Sequence, residues 1–149
     1  MPQIDAHYLI GHGFYESQTE DKSLTQKFKA NLLGAVEDYI FTHLNSSFQF
    51  EEDPKFAGAE DFALNRTDWK DSTTPGRKSG KVVYPVVYPN IQAQYMKALR
   101  SASKIFKTAE FKVAADKMRA GLQGLFDSDL GCFYIAQDRL GPISGISSD

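Results

Sequence analysis

Histidine and carboxylate side chains that could bind a metal ion lie close together near the N-terminus. They are Asp5, His7, His12 and Glu16, and imidazole and carboxylate groups are common ligands of zinc and iron. Their spacing matches no helical ligand motif such as H-E-x-x-H, and in a strand only Asp5 and His7 would share a face before the turn. We therefore expect no metal and no cofactor, with His7 and His12 as weak candidates.

Other motifs associated with catalysis are incomplete. Gly11-His12-Gly13 lacks the third glycine of a dinucleotide-binding fingerprint, and residues 76–80 lack the spacing of a P-loop. Ser144 does not lie in a G-x-S-x-G motif. Cys132 is the only cysteine, and we expect a buried structural thiol rather than a nucleophile paired with His43. The sequence therefore predicts a protein that is not an enzyme.

The positively charged side chains form a more specific pattern. Lys97, Arg100, Lys104 and Lys107 recur at steps of three, four and three residues, so a helix would carry them on one face. Such a row can bind phosphates or an acidic protein, and it is also the solvated face that any amphipathic helix needs. The complete candidate basic face comprises Arg77, Lys78, Lys81, Lys97, Arg100, Lys104 and Lys107.

Charge is segregated along the chain, although the net charge is only −2. Residues 76–119 hold ten bases and two acids, a balance of +8. Residues 1–75 hold thirteen acids and six bases (−7), and residues 120–149 hold four acids and one base (−3). This asymmetry favours charged partners, since an excess of one sign steers association with the other.

Residues 48–89 are predicted to form a long irregular arm in which acidic residues interleave with aromatic ones. Its aromatic anchors are Phe48, Phe50, Phe56, Phe62 and Trp69. The tandem Val-Val-Tyr-Pro at 82–89 must be extended, and its two prolines favour an edge strand or a polyproline-like arm. Connections this long are uncommon inside compact domains. The arm could dock on its own domain or on a neighbouring copy.

Apolar periodicity predicts three main helices, at 23–44, 90–107 and 108–126. Ser23, Asn90 and Thr108 are the expected N-caps. A single continuous helix over 90–126, with a register shift, is the alternative to a break near Thr108. The predicted core comprises Phe28, Leu32, Val36, Ile40, Ile91, Tyr95, Leu99, Ile105, Phe111, Met118 and Leu122.

The remaining elements are short. Residues 4–10 and 130–136 could form strands, a turn is expected at 11–13 and a loop at 16–22, and residues 141–149 resemble a polar tail. The fold class is therefore α-dominated α+β, with residues 1–149 in a single domain. No apolar run is long enough to cross a membrane, and the N-terminus lacks the basic region of a signal peptide. We expect a cytoplasmic protein, which does not exclude later packaging into a particle.

Two functional hypotheses of different kinds follow from these features. The first is a non-enzymatic structural protein, a subunit of a larger assembly such as a virus or phage particle, held by the acidic-aromatic arm and the basic helical face. Its partners would be other copies of itself or other protein subunits. The second is a nucleic-acid-associated or inhibitory binding module that uses the basic face of helix 90–107. A small metal-dependent enzyme using His7 and His12 is a third.

Overall fold

The computed structural model describes residues 3–53 and 83–144 of the chain. Helices dominate this part, and the strands are short and antiparallel, which confirms the α-dominated α+β class. The helices are α1 (Gln3–Thr19), α2 (Ser23–Lys27), α3 (Lys29–Gly34), a π-helix (Ala35–Ile40), a 3₁₀ turn (Phe41–His43), α4 (Pro89–Phe106) and α5 (Ala109–Gln123). The strands are β1 (Phe126–Asp127), β2 (Cys132–Phe133), β3 (Ala136–Asp138) and β4 (Gly141–Ile143).

Helix α4 is the central element, because α1 packs on it from one side and α5 from another. Its inward residues include Ile91, Tyr95 and Leu99, all essentially inaccessible to solvent. Gly13 allows α1 to approach closely, since a Cβ atom at this position would lie 2.9 Å from the Cβ of Ser101 on α4. The α1–α4 contact therefore depends on the absence of a side chain at one position.

Helices α4 and α5 are separate, so the alternative of one continuous helix is wrong. Lys107 adopts a left-handed conformation (φ 54°) and Thr108 is extended. Thr108 occupies the N-cap position as predicted, although its hydroxyl donates to the Phe106 carbonyl at 3.3 Å instead of capping α5. Helix α4 begins at Pro89 with Tyr88 at the N-cap, one residue before the predicted start. Proline suits the first helical position because its φ is already helical.

The predicted helix at 23–44 is helical over most of its length but is not one regular α-helix. It breaks at Phe28 (φ −105°, ψ 17°) and changes to a π-helix at Ala35. Its apolar residues recur at a strict step of four, which is longer than the 3.6 residues of an α-helical turn. A regular helix would rotate them gradually away from the core. The wider π turn keeps Val36 and Ile40 both fully buried.

The N-terminal prediction of a strand at 4–10 and a turn at 11–13 is wrong, because one helix, α1, covers both. The predicted loop at 16–22 begins later, after Thr19, where Glu20 turns the chain with φ 57°. Helix α1 has almost no amphipathic pattern in its sequence. Among its described side chains it buries only Ala6 and Leu9 fully, and it approaches α4 closely at Gly13, so few apolar residues mark its inner face.

Residues 86–88 are extended as predicted, whereas residues 84 and 85 form a bend with a cis peptide bond between Tyr84 and Pro85. The extended residues do not form an edge. Val86 exchanges two backbone hydrogen bonds with Glu52, and Val87 exchanges two with Gln137 on the other side. The prolines at 85 and 89 flank this pair, so neither removes a donor that the bridges need. Two consecutive valines therefore join three segments that are distant in the sequence.

The C-terminal part forms two hairpins, so the predicted single strand at 130–136 is wrong. Strand β1 pairs with β2, and β3 pairs with β4. Helix α5 ends at Gln123 rather than at residue 126, and the first residues of the predicted polar tail form β4. The Asp127 carboxylate accepts from the backbone N–H groups of Asp129 and Leu130 (3.0 and 3.1 Å), which makes the turn after β1.

A buried amide fixes residues 48–50 to the helices. The Gln92 Nε2 atom donates to the carbonyls of Phe48 (2.8 Å) and Met118 (3.3 Å), and its Oε1 atom accepts from the Phe50 N–H at 2.6 Å. Gly121 allows the preceding turn to lie against α5, since a Cβ there would be 2.9 Å from the Ser47 carbonyl oxygen. The side chain of Gln92 thus links α4, α5 and the start of the predicted arm.

The predicted core is correct for most of its residues. Phe28, Ile105 and Leu122 are only partly buried. The fully or nearly fully buried residues of the prediction are Leu32, Val36, Ile40, Ile91, Tyr95, Leu99, Phe111 and Met118.

Replacing Met118 by alanine should lower the free energy of unfolding by about 2–5 kcal/mol, because a fully buried side chain leaves a cavity. Chemical denaturation followed by circular dichroism measures this loss. Gln123→Ala, at an exposed position on the same helix, is the control and should change stability by less than about 0.5 kcal/mol. A Met118→Ala variant as stable as the control would show that this side chain is not in the core.

Replacing Gln92 by leucine should cost about 2–4 kcal/mol of stability, because the Phe50 N–H and two carbonyls lose their buried partner. Gln94→Leu on the same helix is the matched control. The Gln94 Oε1 atom is buried without a hydrogen-bond partner among the described residues, so its removal should cost little or stabilise. The two variants are compared by urea denaturation, and equal losses would contradict the role assigned to Gln92.

Candidate functional site

The structure places part of the predicted basic face on the outside of α4. Lys97 and Lys104 are exposed and Arg100 is half-buried. Lys107 is exposed too, but it lies beyond the end of α4 in a left-handed conformation and does not continue the helical row. Arg77, Lys78 and Lys81 lie outside the described residues.

An ion pair connects this face to α5. The guanidinium of Arg100 lies 3.4 Å from the carboxylate of Asp116, and both side chains are about half exposed. Lys112 is four residues before Asp116 and Arg119 is three residues after it, so all three share one side of α5. Both cations are exposed. We define the basic surface as Lys97, Arg100, Lys104, Lys112 and Arg119, with Asp116 as the acid among them.

The basic surface is suited to binding an anionic group. Its side chains project from two helices that pack on each other through Phe111, Ala115 and Met118 of α5, so the backbone that carries them is already ordered. Lysine and arginine together supply many N–H donors, and a guanidinium can hold a carboxylate or a phosphate by two hydrogen bonds. Phosphate groups and acidic side chains are therefore its natural ligands.

The aromatic residues that the structure describes at the start of the predicted arm pack on their own chain. Phe50 is 1% exposed and lies between the rings of His43 (4.9 Å) and Tyr95 (4.1 Å). Phe48 is half-buried, with the Lys117 ammonium 4.5 Å from its ring centroid. These two residues belong to the domain itself. Phe56, Phe62 and Trp69 lie outside the described residues and stay predictions.

The histidines proposed as weak metal candidates do not converge. Both lie on α1, where His7 is exposed and His12 is half-buried against the rings of Tyr8 (4.6 Å) and Phe28 (6.0 Å). Five residues correspond to about 1.4 turns of an α-helix, so the two side chains lie on different sides of α1. Within residues 3–53 and 83–144, no group of three or more His, Cys, Asp or Glu side chains could hold a metal ion.

A second surface was missed by sequence reasoning. In the β1–β2 hairpin, Phe126 lies opposite Phe133 with the rings 5.3 Å apart, edge to face. They are 45% and 44% exposed, and Leu130 in the turn is 57% exposed. We call these three residues the hairpin patch. The turn signal Asp-Ser-Asp-Leu-Gly at 127–131 could have located it. The prediction instead ended a helix at residue 126, started a strand at residue 130 and assigned no element to the residues between them. Cys132 beside them is half-buried, not buried as expected.

No protein-family model, curated protein or solved structure matches this chain. Function must therefore be argued from the residues themselves. Among the described segments, no helix combines the length and the apolarity needed to cross a membrane.

Replacing Asp116 by asparagine should leave the free energy of unfolding within about 0.5 kcal/mol of the original, because half-exposed ion pairs contribute little. The same change removes the only acid of the basic surface, so the protein should elute from a cation-exchange resin at higher salt. Glu37→Gln, at an exposed position on the π-helix, changes the net charge equally and is the control. If the Asp116→Asn and Glu37→Gln variants shift in elution by the same amount, Asp116 does not reduce the positive potential of the basic surface.

Proposed function

We propose that this protein is a non-enzymatic interaction protein, a subunit of a larger assembly, and that its basic surface docks on an acidic surface of a neighbouring protein subunit. The observation that carries the proposal is the arrangement of five cations on two packed helices around a single carboxylate. An amphipathic helix needs a polar outer face, but serine or paired charges would meet that need. An excess of one sign over a surface raises the local concentration of groups of the opposite sign and accelerates their association.

Charge and apolar contact have different roles in such a complex. Complementary charge sets the register of the partners and accelerates their encounter, whereas affinity comes mainly from apolar anchors that lose water. Helix α5 supplies an anchor beside the basic surface: Val113 is 52% exposed. The exposed alanines 109 and 120 lie on the same outward side of the helix. The basic surface therefore borders an apolar strip that a partner could cover.

Nucleic acid is the second candidate partner, and the same five cations favour it. Binding to phosphates releases counterions, so the affinity would fall steeply as salt rises, in proportion to the number of phosphates contacted. The ultraviolet absorbance of the isolated complex distinguishes the two kinds of partner, because it shows whether nucleic acid is present. The two candidates can thus be separated on the purified protein.

The first test is the solution mass by light scattering at low and high salt, with the absorbance ratio at 260 and 280 nm recorded on the same sample. We expect an oligomer that is free of nucleic acid and dissociates as salt rises, because screening weakens exposed charges. A complex rich in nucleic acid would favour the second candidate. A protein that is monomeric in both salts and retains no acidic protein partner would contradict the proposal.

Charge reversal tests the surface directly. Lys97→Glu, Lys104→Glu and Lys112→Glu together should abolish assembly at low salt while leaving the helical signal and the melting temperature almost unchanged. The matched control reverses three exposed lysines in the region of α2 and α3. They are Lys22 at the N-cap position of α2, Lys27 at its end and Lys29 at the start of α3. Both triple variants change the net charge from −2 to −8, since each reversal changes it by −2. If the control variant also loses assembly, overall charge rather than the basic surface is responsible.

A further inference from the structure

The hairpin patch and the outer side of α5 are complementary surfaces on one molecule. The hairpin from Phe126 to Phe133 contains two acids, Asp127 and Asp129, and no base. Its apolar side chains are an aromatic pair and a leucine at the turn. A group of exposed apolar side chains marks a candidate docking surface, whereas single exposed apolar residues are ordinary.

Helix α5 offers the opposite charge around its own apolar strip. Val113 and the neighbouring exposed alanines face outward, and Lys112 and Arg119 border them along one side. The hairpin of the same molecule does not cover this strip, because Val113 and the three residues of the hairpin patch all remain exposed to solvent. Both surfaces are therefore available to a second molecule.

We infer that the basic surface of one copy of this chain binds the acidic β1–β2 hairpin of a second copy. The inference rests on the proposed function and specifies its partner. Two hairpin patches facing each other would bring four carboxylates together, and two basic surfaces would bring ten cations together with only the two Asp116 carboxylates. Like-to-like contacts are therefore opposed by charge. A hairpin on an α5 surface pairs acid with base and buries Phe126, Leu130 and Phe133 against Val113.

This contact is heterologous, because it joins different surfaces of the two copies. A dimer formed in this way still presents one free hairpin, on one copy, and one free α5 surface, on the other. The contact therefore produces chains or closed rings rather than an isolated dimer. The size of the assembly should rise with protein concentration unless a ring closes, and it should fall with salt.

The test uses two variants of the whole chain that each remove one side of the contact. The hairpin variant is Leu130→Ser with Phe133→Ser, and the helix variant is Val113→Glu. Each alone should be monomeric by light scattering at concentrations where the original chain assembles, with association weakened at least about thirty-fold, as for the loss of a central aromatic anchor. Mixed together, they should form a one-to-one dimer and grow no further, because one intact hairpin meets one intact α5 surface.

Phe14→Ser is the matched control, since Phe14 is 66% exposed on α1, outside both surfaces, and this variant should assemble like the original chain. Leu130→Arg alone is a second hairpin variant, whose change at the exposed turn avoids the Phe126–Phe133 pair. Far-ultraviolet circular dichroism and melting temperature are recorded for every variant.

Several results would overturn the inference. A hairpin variant that assembles normally, while the Lys97, Lys104 and Lys112 reversal abolishes assembly, leaves the proposed function intact and excludes the hairpin as its partner. Two monomeric variants that form no dimer on mixing show that the hairpin meets another face. A melting temperature that falls far below that of Phe14→Ser in both hairpin variants shows that the patch is covered by its own chain. An original chain that is monomeric up to about 100 µM excludes self-association of useful strength.

Discussion

The buried amide of Gln92 is the constraint on which the arrangement of the helices and the extended segments depends. Its three hydrogen bonds lie in a region that excludes water, where an unpaired backbone group costs about 1–3 kcal/mol. They fix residues 48–50 relative to α4 and to Met118 of α5. In this position Phe50 stacks on Tyr95. A single amide side chain on α4 thereby aligns the packing of the aromatic rings, the two helices and a turn.

The packing of α4 on α5 forms the core and also determines where the charged side chains lie. Helix α5 packs through Phe111, Ala115 and Met118, so the opposite side of the helix must face solvent, and that side carries the cations. The Arg100–Asp116 pair spans the junction of α4 and α5. Among the described residues it is the one ion pair of this surface, so the remaining cations there have no carboxylate of the described segments as a partner.

Sequence reasoning was sufficient where a helix has a wide apolar stripe and insufficient where packing depends on small residues. Helices α4 and α5 were predicted to within a few residues because Ile91, Tyr95 and Met118 follow the helical period. Helix α1 was missed because its contact with α4 depends on Gly13, which leaves no hydrophobic signal. The π-helix at 35–40 could not be anticipated, since it relieves a mismatch between apolar spacing and helical pitch. For the candidate surface, the α4 cations were predicted, whereas the contribution of α5 needed the packing of two helices.

The two backbone bonds between Glu52 and Val86 join positions that are 34 residues apart in the sequence. The conformational entropy lost in bringing two such positions together rises only slowly with the length of chain between them, by about 0.6 kcal/mol for each doubling. The fold can therefore accept a long intervening sequence at small cost in stability, provided that both of its ends reach this bridge.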